Sequence, residues 1–369
     1  MDRTLIFVFG MILGSILASC VSLAIRSNKN FSVISKIKID NNLFLGPKIV
    51  VVGGGTGLST LLSGLKLFTN NITAIVTVTD EGGSSGRLRM EWGMLPPGDI
   101  RNCLVALAKD DNALNKILNF RFDRGELKGH SLGNLMMLAM TELCGDFATA
   151  IEEMNQLLAI RGRVIPVTNE KVMLAGKLQN GEKVQGELDI SSHGSKLIDL
   201  WLEPGDSSLH EEISSIISES DLIVLGPGSL FTSVLPNLLV PGFSEIIINS
   251  SVPIVYVANL MTQPGETEGF TLLDHVRWIE KLSGITPNFL LVNDTSIPEK
   301  IKKIYKNDKA DPIIITDEQE IAFKTMHCAI IKNNFLNIID DKSVRHHPIR
   351  LSEALINLTR KNGEIPWAE

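Results

Sequence analysis

The chain has 369 residues, of which 44% are hydrophobic and 21% charged, with 30 Gly and 15 Pro. That balance excludes collagen, a coiled coil and wholesale disorder, and the length suffices for a large α/β core. A net charge of −7 and an aromatic share of 5% exclude a protein built to neutralise a nucleic-acid backbone or to stack bases.

Charge is unevenly spread. Residues 1–46 carry +3, so the other 323 carry −10. Residues 5–25 form an uncharged run of 21 residues. A helix rising about 1.5 Å per residue over that length just crosses a hydrocarbon core. Arg26, Lys29, Lys36 and Lys38 follow the run, while Asp2 and Arg3 nearly cancel before it. By the positive-inside rule the main domain faces the cytoplasm, anchored in the plasma membrane. The expected organisation is an anchor at 5–25, a polar linker to 46 and a globular domain over 47–369. Two other readings of the run stay open. It is long for a cleaved secretory signal. Leu17-Ala18-Ser19-Cys20 resembles a lipobox, although the apolar run continues to Ile25. The other cysteines (Cys103, Cys144, Cys328) are widely spaced, and the absence of a CxxC pair indicates neither a zinc knuckle nor a disulfide framework.

Residues 48–52 are a β-branched run, the mark of a strand buried on both faces. Gly53, Gly54, Gly55, Thr56 and Gly57 follow, and then Leu58, Leu61, Leu62 and Leu65 recur at helical spacing. Strand, glycine turn and helix in this order let backbone approach a phosphate at the positive end of the helix. The dinucleotide fingerprint is imperfect, because Leu58 stands where Gly or Ala is wanted.

Residues 72–79 read as a second parallel strand, followed by a polar loop over 80–89. Asp80 can accept from a hydroxyl or hold Mg²⁺. Gly83, Ser84, Ser85 and Arg87 offer an anion amides, hydroxyls and a guanidinium. Asp99 is a candidate N-cap for the next helix, and Arg101 and Asn102 would lie in its first turn. His130 and Asn134, spaced i, i+4, share a face where another helix opens. Residues 163–190 alternate and contain Asn180-Gly181, so they read as an inserted antiparallel ribbon.

Residues 221–225 form another buried strand, ending in Gly226-Pro227-Gly228-Ser229, with Thr232 and Ser233 in the next turn. Residues 253–258 form the next, ending in a polar stretch that runs from Asn259 to Thr267. Residues 288–292 and 312–316 read as further strands, with a last helix from about Leu351. Ligands of doubly wound sheets bind outside the carboxyl ends of strands, and here four such ends carry Gly and small polar residues. The expected fold is α/β, a Rossmann-like, doubly wound, mainly parallel sheet with an inserted hairpin.

The stretches IVVVGGGTGLSTLLSGLK, VTDEGGSSGRLR, LPPGDIRNCLVALA, GHSLGN, DLIVLGPGSLFTSVLPNLLVPG and MTQPGETEGF together resemble the YvcK branch of the YvcK/CofD family, the gluconeogenesis factors. The resemblance runs from about Lys48 to the final helix. It implies a UDP-sugar-binding regulator, with UDP-N-acetylglucosamine as the expected ligand, linked to cell-wall synthesis and cell shape. The related CofD enzymes transfer a phospholactyl group with Mg²⁺, which makes a transferase the alternative function. By position, Gly54, Gly55 and Thr56 match the family's first nucleotide loop, Asp80 its acidic strand end, and Gly228 and Ser229 its second phosphate turn. The segments holding Tyr305 and Arg345 resemble the stretch that closes over the uridine. Two departures stand out: Glu81, where the branch usually has Asp, and the run at 5–25. No catalytic residue is assigned. The partners implied are a nucleotide sugar, a regulatory protein of the cell envelope, the membrane through residues 5–25, and a second copy of the chain.

Overall fold

The computed structural model describes residues 46–109, 113–193 and 196–360. The run at 5–25, Cys20 and the linker to 45 lie outside the described residues. Among those described, no single helix is long and apolar enough to cross a membrane.

Strand β1 (Ile49–Gly53) passes through Gly54 into helix α1 (Gly55–Leu65), and β2 (Ile72–Val76) leads to α2 (Gly83–Trp92). Four more helices follow: α3 (Gly98–Leu107), α4 (Ala113–Asn119), α5 (Leu132–Cys144) and α6 (Phe147–Leu157). Then come β3 (Arg163–Pro166), β4 (Met173–Leu178), β5 (Lys183–Gln185), the short helix α7 (Glu187–His193) and β6 (Leu197–Glu203). The second half begins with α8 (Ile213–Ser218) and β7 (Leu222–Leu225). A π-helical turn (Leu230–Val234) then runs into α9 (Leu235–Leu238), followed by α10 (Phe243–Asn249) and β8 (Ile254–Val257). The chain continues through α11 (Leu272–Ser283), β9 (Phe289–Asn293), α12 (Glu299–Asn307), α13 (Asp317–Thr325), β10 (Ala329–Asn333), the hairpin β11 (Leu336–Ile339) and β12 (Ser343–His346), and α14 (Pro348–Arg360).

Seven strands make one parallel sheet in the order β10-β9-β8-β7-β1-β2-β3. The chain builds outward from β1 to β3 on one side, then returns to β7 and builds outward to β10 on the other. The order therefore reverses between β1 and β7, which opens a crevice at their carboxyl ends. Every residue of β1, β7 and β8 is buried, as expected for parallel strands covered by helices on both faces. The four strand ends singled out in the sequence belong to four adjacent strands, β8, β7, β1 and β2.

Several expectations are corrected. The loop over 80–89 is irregular only to Gly82, and helix begins at Gly83. This helix buries Ser84, Ser85, Gly86 and Leu88, so hydrophobic periodicity has little to register. Gly86 lets the turn close, since a Cβ there would lie 2.0 Å from the Glu81 carbonyl oxygen. Pro97, not Asp99, occupies the N-cap position of α3. The ribbon comprises β4, β5 and β6, whereas β3 joins the main sheet as an edge strand. Residues 312–316 are not a strand: Pro312 makes one isolated bridge with Met261, and Ile313 N–H donates to the Leu260 carbonyl at 3.1 Å. The sheet edge is β10 instead.

Helices α1 and α14 touch through Gly64, where a Cβ would fall 2.3 Å from the Pro348 carbonyl oxygen and 2.5 Å from Ser352 Oγ. Backbone cannot swing aside as a side chain can, so one added methyl must push the helices apart. Gly64→Ala is expected to cost about 1–3 kcal/mol, read as a lower urea midpoint. An unchanged midpoint would show that the helices separate freely.

Candidate functional site

The turns after β1 and β7 meet backbone to backbone. A Cβ at Gly57 would lie 2.5 Å from the Pro227 carbonyl oxygen, and one at Gly228 would lie 3.3 Å from the Gly54 carbonyl oxygen. Gly55 takes φ +68 and Gly226 takes φ +77, which glycine adopts without strain. Asn237, fully buried, ties the two halves by donating to the carbonyls of Ser233 (2.7 Å) and Gly53 (3.3 Å).

Above these turns opens a cleft of about 600 Å³, within the range of small-molecule sites. Its floor includes Gly54, Gly55, Thr56, Gly57, Gly228 and Ser229. Glu187 and Ser191 of α7 form one wall. Tyr305 of α12 and Arg345 of β12 form another. Val344 N–H donates to the Tyr305 hydroxyl at 2.9 Å, and Arg345 Nη1 donates to the Val344 carbonyl at 2.9 Å. That wall has a small core of its own, from Leu260 and Met261 to Leu336 and Val344.

The two turns differ as anion hosts. The N-cap residue of α1, Gly54, has no side chain with which to cap it. Gly55 N–H donates to the Asp99 carboxylate, and the amides of Thr56 and Gly57 have no intrahelical partner. The turn after β7 is filled from within. Glu266, only 3% exposed, accepts from Ser229 Oγ and from Phe231 N–H at 2.8 Å. Ser229 Oγ is also 2.6 Å from Thr232 Oγ1. Burial pushes the Glu266 carboxyl up, and these donors pull it back.

A carboxylate group lies beside the cleft. Asp80 Oδ1 accepts from Gly82 N–H at 2.8 Å, and its carboxyl also hydrogen-bonds to Glu187. Glu81 and Glu187 exchange bonds: Glu81 N–H donates to Glu187 Oε2 at 2.8 Å, and Glu187 N–H donates to Glu81 Oε2 at 3.0 Å. Loss of water, then the charge of Asp80, raises Glu187 to about 8 and Asp99 to about 7.

Thus Gly54, Gly55, Thr56, Gly57, Gly228, Ser229, Tyr305 and Arg345 come together around one cleft. Asp80 stands behind Glu187. Gly83, Ser84, Ser85, Arg87 and Asn134 do not line the cleft. Ser84 Oγ lies 2.9 Å from His130 Nδ1 and accepts from Asn134 Nδ2 at 3.0 Å. Asn134 Oδ1 in turn accepts from Arg101 Nε at 3.2 Å. Arg87 donates to the Lys128 carbonyl at 2.7 Å. Ser84 and Asn134 therefore hold α2 against the start of α5, and Arg87 ties it to the loop before α5. Sequence reasoning gave no role to Glu187, Ser191 or His346, although all three line the cleft. The first two lie in α7, between strands β5 and β6 of the ribbon, far along the chain from the glycine turns that end β1 and β7. The only local signal is Gly186 beside Glu187, where a Cβ would fall 2.3 Å from Glu81 Oε2.

The model of the family described as 2-phospho-L-lactate transferase CofD matches residues 49–336. The chain is 45% identical over 310 residues to the gluconeogenesis factor of Halalkalibacterium halodurans, covering 84% of this chain and 95% of that one. The chain belongs to the YvcK/CofD family. A second relative, the gluconeogenesis factor of Bacillus subtilis, is 42% identical over 317 residues, covering 85% of this chain and 99% of that protein. A crystal structure of a UPF0052-family protein from Bacillus halodurans superposes with a TM-score of 0.79 at 46% identity, covering 83% of this chain and 98% of the other. For this member of the YvcK/CofD family, Glu81 has a structural use: its side chain reaches the amide of Glu187 and fastens the ribbon to the end of β2.

The raised carboxyls set a pH dependence. The unfolded chain ionises these groups near the ordinary carboxylate range, while the folded chain keeps their protons. Their contribution to stability is therefore fully present below about pH 4 and is lost as pH rises towards 8. Glu187→Gln removes part of this loss and keeps an acceptor for Glu81 N–H. Its stability relative to the parent chain should rise between pH 5 and pH 8, as read from urea midpoints. A constant difference would contradict the burial of a titrating Glu187.

Proposed function

We propose that this chain binds a nucleotide sugar of the UDP type, with UDP-N-acetylglucosamine as the leading candidate, and acts as a regulator of envelope synthesis. The observation that carries the reading is the N-terminus of α1, where the amides of Thr56 and Gly57 have no intrahelical partner and open into a cleft at the sheet's reversal point. Helix N-termini favour anions through free amides and the aligned peptide dipoles. Thr56 offers a hydroxyl beside those amides. Arg345 is exposed on the opposite wall, where its guanidinium can meet a phosphate or a base carbonyl. Tyr305 supplies a ring to cover a base. The names of the relatives support a place in the gluconeogenesis-factor group. A regulator of this kind works by binding one of two conformations more tightly, so that ligand concentration sets their populations.

Thr56→Asp separates binding from folding. A carboxylate in the first turn of α1 favours the helix by about 0.3–1 kcal/mol, yet repels a diphosphate. Calorimetry with UDP-N-acetylglucosamine should show clear binding by the parent chain and at least about a tenfold loss in the variant. Absence of heat with the parent chain would end the reading.

A transferase of the CofD type is the second reading, favoured by the carboxylates beside the cleft. Among the described residues, no three Asp, Glu, His or Cys side chains are placed to hold a metal ion. Asp80 therefore suits a hydrated Mg²⁺ whose other ligands are waters and ligand phosphates, the usual mode for this ion. There Mg²⁺ would supply charge neutralisation for the diphosphate, and Asp80 would fix its position. Calorimetry with and without Mg²⁺ should show a metal-dependent gain in affinity that Asp80→Asn abolishes. A gain that survives in the variant would remove Asp80 from that role.

A further inference from the structure

Two glycine turns face each other at the reversal of the sheet, and they differ in how many of their donors the chain itself takes: at the first, the Asp99 carboxylate takes Gly55 N–H and leaves the amides of Thr56 and Gly57. The turn after β7 has the features of a phosphate site: glycine approach, a serine hydroxyl and the free amides of a helical turn. Its donors are nevertheless spent on a residue of the chain itself. Ser229 Oγ, Phe231 N–H and Thr232 N–H all converge on Glu266. Thr232 Oγ1 and Thr232 N–H lie 2.6 and 3.2 Å from Ser229 Oγ, which leaves the serine proton for the carboxylate. Converging donors favour the ionised carboxylate against the burial that opposes it. Glu266 also lines the cleft, with Gly55, Thr56 and Gly57 among its neighbours there.

We propose that Glu266 fixes the direction in which a nucleotide sugar lies in the cleft: it takes the place of a phosphate at the turn after β7, bars a further anion from it, and accepts a hydrogen bond from a ligand hydroxyl. The diphosphate is thereby assigned to the N-terminus of α1, and a hydroxyl-bearing ring to the β7 side. A carboxylate has about four acceptor positions, so it can serve its internal donors and a sugar hydroxyl together. The site then discriminates against ligands that would bring a third phosphate to the β7 turn. This specificity rests on the nucleotide-sugar reading, but the barrier to anions does not.

The test is calorimetry of the full chain and of Glu266→Gln with UDP-N-acetylglucosamine, UTP and inorganic pyrophosphate. The variant keeps an acceptor for Phe231 N–H and loses the charge. It should bind UTP and pyrophosphate about tenfold or more tightly than the parent chain does, because a close like-charge contact is removed, and should bind the nucleotide sugar more weakly. Unchanged affinities for UTP and pyrophosphate in a cooperatively melting variant would overturn the proposal. Glu266→Asp keeps the charge and must bind pyrophosphate no more tightly than the parent chain does, so a tenfold gain in that variant would also overturn it. If the nucleotide sugar fails to bind the parent chain while Glu266→Gln gains pyrophosphate, the ligand reading falls and the barrier stands. If the sugar binds and Glu266→Gln gains nothing, the outcome is reversed.

Discussion

The contact between Gly57 and the Pro227 carbonyl governs the arrangement of the site. Parallel strands β1 and β7 are neighbours, so the turns that leave them must pass within van der Waals range. At 2.5 Å from a hypothetical Cβ to a carbonyl oxygen, no side chain fits between them. Glycine at this position brings the two halves of the doubly wound sheet together and leaves amides, rather than side chains, facing the cleft. The walls are then supplied from elsewhere: the ribbon on one side, and the segment carrying Tyr305 and Arg345 on another.

Carboxylates are placed with equal economy. Asp99 lies under Gly55, Glu266 fills the turn after β7, and Glu187 pairs with Asp80 at the rim. Each occupies donors that would otherwise be free, Asp99 taking Gly55 N–H at the start of α1 itself, so the amides left facing the cleft there are those of Thr56 and Gly57. A site lined uniformly with open amides would draw in any phosphate, whereas a few open amides among occupied neighbours favour one orientation. The same crowding raises the Glu187 and Asp99 carboxyls, so stability is given up as pH rises and they ionise.

Most of the sheet was legible in the sequence because its strands are short apolar runs bounded by polar or glycine residues. Residues 48–52, 72–79, 221–225, 253–258 and 288–292 all announce themselves in this way, and two of them, 48–52 and 221–225, run directly into glycine. The rest was hidden for physical reasons. Helix α2 buries serines and a glycine instead of an apolar stripe. Residues 312–316 are rich in isoleucine, yet Pro312 has no N–H to continue a ladder. Strand β10, an edge strand with Lys332 and Asn333 at its end, lacks the buried pattern of its neighbours. For the site, the glycine turns were visible because their chemistry is local. Asn134 and Arg87 looked equally suitable, but the partners of Asn134 are Ser84 and Arg101, and Arg87 donates to a backbone carbonyl. Glu187 could not be found, because its role depends on a ribbon folding back over more than a hundred residues to reach Glu81.

The wall that carries Tyr305 and Arg345 rests on a cluster of seven buried residues, separate from the main core. Cooperative units with few apolar contacts open before the rest of a domain does. This wall is therefore fastened by a handful of aliphatic contacts, among them Leu260, Ile297, Ile301 and Val344, none of which is polar, and it can part locally while the sheet stays intact.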